Sequence, residues 1–374
     1  MSVSSVLERY SAGAKAREEA LCCPVDYDTE LLKILPQEII ERDYGCGDPS
    51  RYVREGDTVL DLGSGGGKIC YMAAQLAGPE GRILGVDMND DMLALARKYQ
   101  KEMANKLGGD RVAFHKGQIQ DLALSLDAVE AHLEQYPVKT ASDLLAFKAW
   151  QEHERQARPM IADNSVDLVV SNCVLNLVGE ADRAQLISEI QRVLKPGGRV
   201  AISDIVADEH VPQHLKDDPK LWSGCISGAF QEHDFLRAFA DNGFRAVGYD
   251  KWDPNPWQVV EGIEFRSVTL TAVKADPSEC IDRGHAVMYR GPFSSVWDDE
   301  GHEFRRGERM AVCERTYKLI TEGPYKDAFI GITSVELREP QAWCAPSGTV
   351  RPAAETKGAS HEGSDNCCTP GSCC

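Results

Sequence analysis

Residues 58–70 constrain the fold of this chain more than any other stretch. Val59, Leu60 and Leu62 form a short apolar run, and glycines follow at positions 63, 65 and 67 before apolar residues return with helical spacing. A strand that passes through glycines into a helix lets backbone N–H groups approach a ligand closely, because no Cβ atom stands in the way. Such a turn can also serve helix–strand packing alone, so it needs support from other residues.

Two acidic residues near this loop give that support. Asp61 lies two residues before the first glycine, and Asp87 follows a second predicted strand at 82–86. An acid at the end of the second strand suits the two hydroxyls of a ribose. Because nothing in the loop is shaped to hold a pyrophosphate, the pattern favours S-adenosylmethionine over a dinucleotide. In these residues the chain resembles the class I S-adenosylmethionine-dependent methyltransferases.

The pattern from residue 57 onward alternates predicted strands with predicted helices. Strands are predicted near 58–62, 82–86, 112–115, 166–171 and 199–203, and helices near 68–77, 90–105 and 182–194. A helix at 232–242 and strands at 244–249 and 264–273 complete the seven-stranded sheet that is usual for the family. Alternation of this kind predicts an α/β, Rossmann-like, doubly wound sheet that is mostly parallel.

Four regions are predicted along the chain. Residues 1–56 form an N-terminal helical lead, with Val6, Leu7 and Tyr10 at helical spacing, and the loop of Cys46. The methyltransferase domain spans 57–275, a small, mainly β C-terminal α+β domain spans 276–345, and a disordered tail spans 346–374.

The methyltransferase domain carries an insertion at 122–162, which we predict to be two helices. Leu122, Leu126, Val129 and Leu133 would share one helical face, Pro137 would end that helix, and residues 144–157 would form the second.

Charge and cysteine content limit the possible functions. The chain has 374 residues, 41 basic and 59 acidic, with a net charge of −18, which argues against nucleic acid or an anionic membrane as a partner. The N-terminus lacks the features of a signal peptide and no stretch is long enough to span a membrane, so we expect a cytoplasmic protein. Disulfides are a poor explanation for 13 cysteines in that compartment. Metal or metalloid binding, redox chemistry or inert burial remain.

Three cysteines are predicted to meet at one edge of the sheet. Cys70 follows the glycine loop, Cys173 follows the fourth strand, and Cys225 lies in a segment of small residues after the fifth, with Cys46 as a possible fourth member. This is a site for a soft ligand. Zinc is disfavoured because the cysteines are singly dispersed, whereas zinc motifs show Cys-x-x-Cys pairs. The segments 61–70, 172–177 and 222–228 also lack a histidine. Trivalent arsenic needs no base once thiolates hold it, whereas an oxygen or ammonium acceptor would need one.

The resemblance to one family becomes specific at these positions. Residues 44–47, 61–65 with Cys70, 85–88, 171–177 and Cys225 are similar to the arsenite S-adenosylmethionine methyltransferases, and the similarity covers about 31–337. It implies methylation of arsenite to mono- and dimethylated arsenicals, a detoxification reaction. The four thiols implied as arsenic ligands and catalytic residues are Cys46, Cys70, Cys173 and Cys225.

The resemblance also implies the remaining contacts. Gly63, Gly65, Gly67 and Asp87 would bind S-adenosylmethionine, Asp61 would support the loop, Met88 and Ile119 would flank the adenine, and Asn172 would lie near the methionine portion. The expected partners are arsenite or its glutathione adduct and a thiol reductant, glutathione or thioredoxin, acting on a monomer.

A division of labour among the thiols follows from their positions. Cys173 and Cys225 would hold arsenic throughout. Cys46 and Cys70 would form a pair that closes into a disulfide when arsenic is oxidised.

Two alternatives stay open. One is a small-molecule O- or N-methyltransferase with incidental cysteines and Asp204 as its base. The other is a metalloid-sequestering thiol protein. The terminal pairs Cys367–Cys368 and Cys373–Cys374 would either deliver arsenite or be dispensable, and Cys280, Cys313 and Cys344 would be structural.

Overall fold

The computed structural model describes residues 3–16, 25–42, 44–335, 339–343 and 345–357. Cys344 and the terminal cysteine pairs, to which the sequence assigned roles, lie outside the described residues. The chain divides into two compact units, Met1–Ala275 and Asp276–Cys374.

The first unit is built on one mixed sheet. Its strands are β1 (Thr58–Leu62), β2 (Arg82–Asp87), β3 (Val112–Gln118), β4 (Asp121–Ser125), β5 (Val166–Asn172), β6 (Leu194–Ala207), β7 (Phe230–Gln231), β8 (Phe244–Trp252), β9 (Gln258–Val260) and β10 (Ile263–Lys274). The strand order is β4-β3-β2-β1-β5-β6-β10-β8, with β7 beside β6 and β9 beside β10.

This order confirms the doubly wound fold predicted from the sequence. Strands β1, β2, β3, β5 and β6 run parallel, and β10 pairs antiparallel with both β6 and β8. The short strands β4, β7 and β9 are additions to the predicted seven. Because the order reverses beside β1, the carboxyl ends of β1, β2 and β5 open onto a shared crevice where such folds bind ligands.

Helices flank this sheet along the chain. They are α1 (Val3–Lys15), α2 (Thr29–Leu32), α3 (Gln37–Glu41), α4 (Lys68–Leu76), α5 (Asp90–Lys98), α6 (Gln100–Leu107), α7 (Leu126–Gln135), α8 (Ala141–Ala157), α9 (Arg183–Val193), α10 (Gln213–Lys216), α11 (Pro219–Ser223) and α12 (Glu232–Asp241). The helix predicted at 90–105 is two helices that meet at Tyr99, where ψ is −1° and the Tyr99 N–H bonds to the carbonyl of Ala96.

The sixth strand starts earlier than predicted. The prediction of 199–203 omitted the first part of this strand, because β6 begins at Leu194, which pairs with Val166 of β5. Lys195 also bonds both carboxylate oxygens of Asp167 at 2.8 Å. Residues 195–198 bulge out of the pairing between Leu194 and Arg199, and Gly197 has a φ of +74° there.

The insertion was only partly predicted. Leu122 is in β4 and fully buried, so it does not share a helical face with Leu126. The Ser125 hydroxyl then caps α7 by accepting the N–H of Ala128. A capping box between Thr140 and Asp143 starts α8 three residues before the predicted position.

Two apolar clusters cover the two faces of the sheet. One includes Leu60, Leu62, Val169 and Ile202, and the other includes Val59, Tyr71, Val170 and Ala201. The alternation between faces follows from the two-residue repeat of a strand. A third, smaller cluster contains Cys46, Cys173 and Cys225, so these thiols sit within apolar packing.

The second unit is small and mainly β. It contains β11 (Ile281–Asp282), β12 (Ala286–Tyr289), β13 (Ser295–Trp297), β14 (Glu303–Arg305), β15 (Met310–Ala311), β16 (Phe329–Ile332) and β17 (Gln341–Ala342), with helices α13 (Glu314–Glu322) and α14 (Ala353–Lys357). Strands β15, β12 and β16 form a three-stranded sheet.

The C-terminal tail was predicted to start at residue 346, which is too early. Val350 bridges to Met310, and the buried Arg351 guanidinium bonds Asp282 at 2.8 Å. A buried ion pair of this kind holds the chain against the unit. Among the described residues, no helix is both long and apolar enough to cross a membrane.

Candidate active site

The glycine loop closes tightly over the carboxyl end of β1. The N–H groups of Gly63 and Ser64 donate to the carbonyl of Val86 at 2.8 and 3.0 Å. Gly63 has a φ of +72°, and a Cβ on it would lie 2.5 Å from Val174. An L side chain would therefore be strained and would collide with the loop after β5.

Asp87 anchors the far side of this loop. Its Oδ2 accepts the N–H of Gly65 at 2.9 Å, and its Oδ1 accepts the N–H of Asn89 at 2.8 Å. These bonds fix the carboxylate at the end of β2. Each carboxylate oxygen has more than one acceptor position, so both can still receive hydroxyl groups.

A cavity opens between the glycine loop, the end of β2 and the loop after β5. Of the predicted cofactor residues, Gly63, Gly65, Asp87, Met88, Ile119 and Asn172 line it. Asp61 and Gly67 do not line it, because Asp61 is buried beneath the loop and Gly67 caps the N-terminus of α4.

Helix α1 forms a wall of the same cavity, a role that the sequence did not indicate. Val6, Leu7 and Tyr10 line it. The side chain of Asn89 donates to the carbonyl of Leu7 at 3.1 Å, and Lys15 pairs with Asp91 at 3.0 Å. The helical spacing of the three residues indicated an apolar face but not what that face covers.

The other cavity residues were not predicted as site residues, although Tyr44, Val174 and Leu177 lie within the motifs that carry the family resemblance. They are Tyr44, Asn89, Met92, Gly117, Gln118, Gln120, Val174, Leu177, Val178, Gly179 and Asp182.

Cys46 and Cys173 are joined by a disulfide with a Cα–Cα distance of 5.9 Å. The sequence predicted reduced thiols and paired Cys46 with Cys70, and the structure differs on both points. The physical reason lies in Asn172, whose Oδ1 accepts the N–H groups of Cys46 and Gly47 at 2.9 and 3.1 Å. This contact brings the Cys46 segment against the loop after β5. Cys280 is also disulfide-bonded.

Cys70 is not part of this disulfide. It is fully buried, and its Sγ donates to Oδ2 of Asp61 at 3.3 Å. Among the described residues, one group of ligand atoms lies within 4.8 Å of one another, and it comprises Cys46, Cys173 and Asp204.

Cys225 faces the Cys173 loop. Its Sγ donates to the carbonyl oxygen of Cys173 at 3.2 Å, and the hydroxyl of Tyr10 is 3.9 Å from the same sulfur. Cys173 and Cys225 line a small cavity together with Tyr10, Tyr44 and Trp257. Tyr10, Tyr44 and Cys173 also line the larger cavity, so the two cavities share these three residues.

Both of these cysteines have unusual backbone conformations. Cys173 has a φ of +60° and Cys225 a φ of +62°. Residues other than glycine seldom adopt positive φ, and such conformations are concentrated at functional sites, where the surrounding structure imposes them.

Asn172 was predicted to lie near the methionine portion of the cofactor. It lines the cavity, but its amide is engaged elsewhere. Besides the contacts to Cys46 and Gly47, its Nδ2 donates to the carbonyl of Gly47 at 2.8 Å and to the Tyr27 hydroxyl at 3.2 Å. Asn172 therefore acts on the Cys46 segment.

Asp204 was the base of one alternative function. Burial raises its pKa to about 7, and N–H donors from Ile205, Asn176 and Leu175 lower it in part. Its side chain is 1% exposed and both oxygens accept protein N–H groups. Both oxygens are thus occupied by protein donors, and one of these oxygens lies within 4.8 Å of the sulfur atoms of Cys46 and Cys173.

Two family models match this chain. The profile of a methyltransferase domain matches residues 54–141 and 139–243, and the profile of a domain of unknown function matches 276–361.

Two curated relatives share most of their length with this chain. The arsenite methyltransferase of Aquipseudomonas alcaligenes is 32% identical over 311 residues, which are 80% of this chain and 80% of the relative. The arsenite methyltransferase of Homo sapiens is 32% identical over 80% of this chain and 74% of the relative.

A solved structure is similar as well. The crystal structure of an arsenic(III) S-adenosylmethionine methyltransferase from Chlamydomonas reinhardtii matches with a TM-score of 0.55 and 28% identity, covering 83% of this chain and 96% of that chain.

Proposed function

The chain belongs to the arsenite methyltransferase family, and from that premise we propose how its residues hold the two substrates and transfer the methyl group. It is an S-adenosylmethionine-dependent arsenite methyltransferase that methylates thiol-bound trivalent arsenic. The residue assignments rest on one observation: Cys173 lines both of the cavities described above. On one side lie the glycine loop and Asp87, and on the other lies Cys225.

The larger cavity fits S-adenosylmethionine. At Gly63 a Cβ would collide with Val174, and Asp87 presents acceptors for the ribose hydroxyls. Met88 and Ile119 supply apolar surface for the adenine. When bound, this cosubstrate supplies a methyl group on a positively charged sulfur, which is an electrophile that needs no further activation.

Cys173 and Cys225 hold the arsenic in this proposal, and Cys46 supplies a third thiol for arsenite. Soft thiolates suit trivalent arsenic, and each one that binds displaces an oxygen of arsenite as water. The lone pair of the arsenic then needs no general base, in agreement with the engaged state of Asp204. The protein contributes position, because the attack must be in line with the bond that breaks.

The Cys46–Cys173 disulfide must open before arsenic binds. Two molecules of a thiol reduce it in two exchanges: the first releases one cysteine and forms a mixed disulfide, and the second releases the other cysteine and the oxidised thiol. The two thiol protons end on the cysteine sulfurs. We propose glutathione or thioredoxin as the reductant and the cytoplasm as the compartment, because these cysteines function only where thiols stay reduced.

The same pair can return electrons to arsenic. Attack by the lone pair forms the As–C bond, breaks the C–S bond and leaves S-adenosylhomocysteine. This attack converts the arsenic from the trivalent to the pentavalent state. With arsenite as substrate, the sulfur atoms of Cys46 and Cys173 are both bound to the arsenic, and they couple to form the disulfide. Both As–S bonds break: one electron pair forms the S–S bond and the other stays on the arsenic as a lone pair. A glutathione thiolate takes the position that opens on the arsenic. The product is a trivalent methylated arsenical, and the Cys46–Cys173 disulfide is the oxidised enzyme.

Speciation of arsenic products tests this proposal. The enzyme is incubated with S-adenosylmethionine, glutathione and either arsenite or methylarsenite. We expect Cys173→Ser and Cys225→Ser to form no product from either substrate. Cys46→Ser should lose activity on arsenite alone, because methylarsenite has a carbon in place of one thiolate.

The matched control is Cys313→Ser. Cys313 is buried in the second unit, where its side chain caps α13, and serine preserves a cap. It should keep wild-type activity on both substrates. Retained activity on both substrates in Cys173→Ser would remove this residue from the arsenic site.

A further inference from the structure

Two buried asparagines flank Cys173, at positions 172 and 176, and they reach in different directions. Asn172 is 6% exposed and Asn176 is fully buried. The amide of Asn172 makes three hydrogen bonds to the backbone of Cys46 and Gly47, at 2.8 to 3.1 Å. One side chain therefore holds both the N–H groups and a carbonyl of the Cys46 segment.

Asn176 holds the other neighbouring segment. Its Nδ2 donates to Oδ1 of Asp204 at 2.8 Å, to the carbonyl of Ile205 at 2.7 Å and, at 3.4 Å, to the carbonyl of Cys225. The backbone carbonyl of Asn176 also packs closely on Gly228, where a Cβ would lie 2.0 Å from the oxygen. The Cys225 segment is thus fitted against Asn176 by polar contacts and by shape.

The contacts of Asn172 and Asn176 help to hold the three cysteine segments in position. Cys173 and Cys225 both have positive φ, a conformation that the surrounding structure must impose. The three cysteines come from separate parts of the chain, and each lies in a loop outside the strands and helices. Once the Cys46–Cys173 disulfide is open, contacts between these segments must fix the distances between the sulfur atoms.

We propose that Asn172 and Asn176 are positioning residues that set the spacing of the three thiols, Asn172 for Cys46 and Asn176 for Cys225. This inference rests on the proposed function. Arsenite bound by three thiolates requires both Cys46 and Cys225 to lie at the correct distance from Cys173. Methylarsenite uses two thiolates, so it requires only the correct distance between Cys225 and Cys173.

The substrate dependence of two variants tests the assignment. Asn172→Ala should lower kcat/KM for arsenite at least about tenfold, and for methylarsenite less than about threefold, since misplacement by about 1 Å costs up to about a hundredfold in rate. Asn176→Ala should lower kcat/KM for both substrates at least about tenfold. Affinity for S-adenosylmethionine, measured by calorimetry, should stay within about threefold of wild type in both variants.

A glycine variant tests the packing of the Cys225 segment against Asn176. Gly228→Ala removes no polar group, but its Cβ would push the Cys225 segment away from Asn176. It should reproduce the loss on both substrates even if Asn176→Ala does not fold. The matched control is Gly248→Ala, because Gly248 has no neighbouring atom within 4 Å of an added Cβ.

Two outcomes would overturn the inference. Equal losses on both substrates in Asn172→Ala, with weaker binding of S-adenosylmethionine, would make Asn172 a cofactor residue. Activity of Asn176→Ala and Gly228→Ala near the wild-type level would remove Asn176 from the thiol geometry. If the wild-type enzyme methylates neither substrate, the proposed function itself fails, and this result is distinct from either of the others.

Discussion

The thiol of Cys70 donates a hydrogen bond to Oδ2 of Asp61 across 3.3 Å, and both side chains are buried beneath the glycine loop. A serine hydroxyl at position 70 can donate the same bond. The substitution Cys70→Ser therefore removes the sulfur and keeps the contact to Asp61.

We predict that Cys70→Ser loses methylation of arsenite and keeps methylation of methylarsenite. The reason is the family resemblance, which implies a fourth thiol that arsenite needs and that methylarsenite does not. Arsenic speciation with each substrate separately is the measurement. Full activity on both substrates would mean that Cys70 acts only through its bond to Asp61.

We predict that Asp87→Ala weakens binding of S-adenosylmethionine and leaves arsenite binding unchanged. Loss of charge-assisted bonds to the ribose costs about 1.5–3 kcal/mol, which is about a tenfold to hundredfold loss of affinity. Calorimetry measures both affinities. The control is Asp110→Ala, since Asp110 precedes β3 and does not line the cavity. Unchanged affinity in Asp87→Ala would exclude Asp87 from the site.

We predict that Gly63→Ala abolishes detectable binding of S-adenosylmethionine, whereas Gly66→Ala binds it within about threefold of wild type. An added Cβ at Gly63 would be strained by a φ of +72° and would press on Val174. At Gly66 it would meet only Leu95 at 3.1 Å, which is a flexible side chain. Equal affinity in the two variants would mean that the loop adapts to either change.

The second unit offers a prediction on pH. The carboxylate of Asp298 accepts a hydrogen bond from the imidazole of His302, with 2.8 Å between Nδ1 and Oδ2, and this bond raises the pKa of His302. A raised folded-state pKa stabilises the fold at pH values below the unfolded-state pKa, and this contribution disappears as pH rises through the folded-state pKa.

Wild type should therefore exceed His302→Gln in the free energy of unfolding at about pH 5.5, by up to about 1 kcal/mol. The two proteins should converge at about pH 8.5. Chemical denaturation at both pH values is the measurement, with the exposed His153→Gln as control. A difference that grows toward high pH would contradict the assigned pair.

The fold was largely predictable from local pattern. A strand buried on both faces is apolar throughout, and the glycine loop and the acid after β2 mark the ligand edge of a parallel sheet. The errors fell where tertiary contacts oppose local preference. Pairing of Leu194 with Val166 of β5 starts β6 before its predicted first residue, and the ion pair of Arg351 with Asp282 holds residues expected in the tail.

By itself the sequence determined the chemistry available: a glycine loop with Asp87, and cysteines that follow separate strands. Residue type and order along one chain are enough for that. The tertiary structure alone decided which of these groups meet. It joined Cys46 to Cys173, left Cys70 with Asp61, and brought α1 over the cavity beside the glycine loop. The physical reason is that hydrogen bonds between distant segments, such as those of Asn172 and Asn176, have no periodicity or spacing in the sequence that could reveal them.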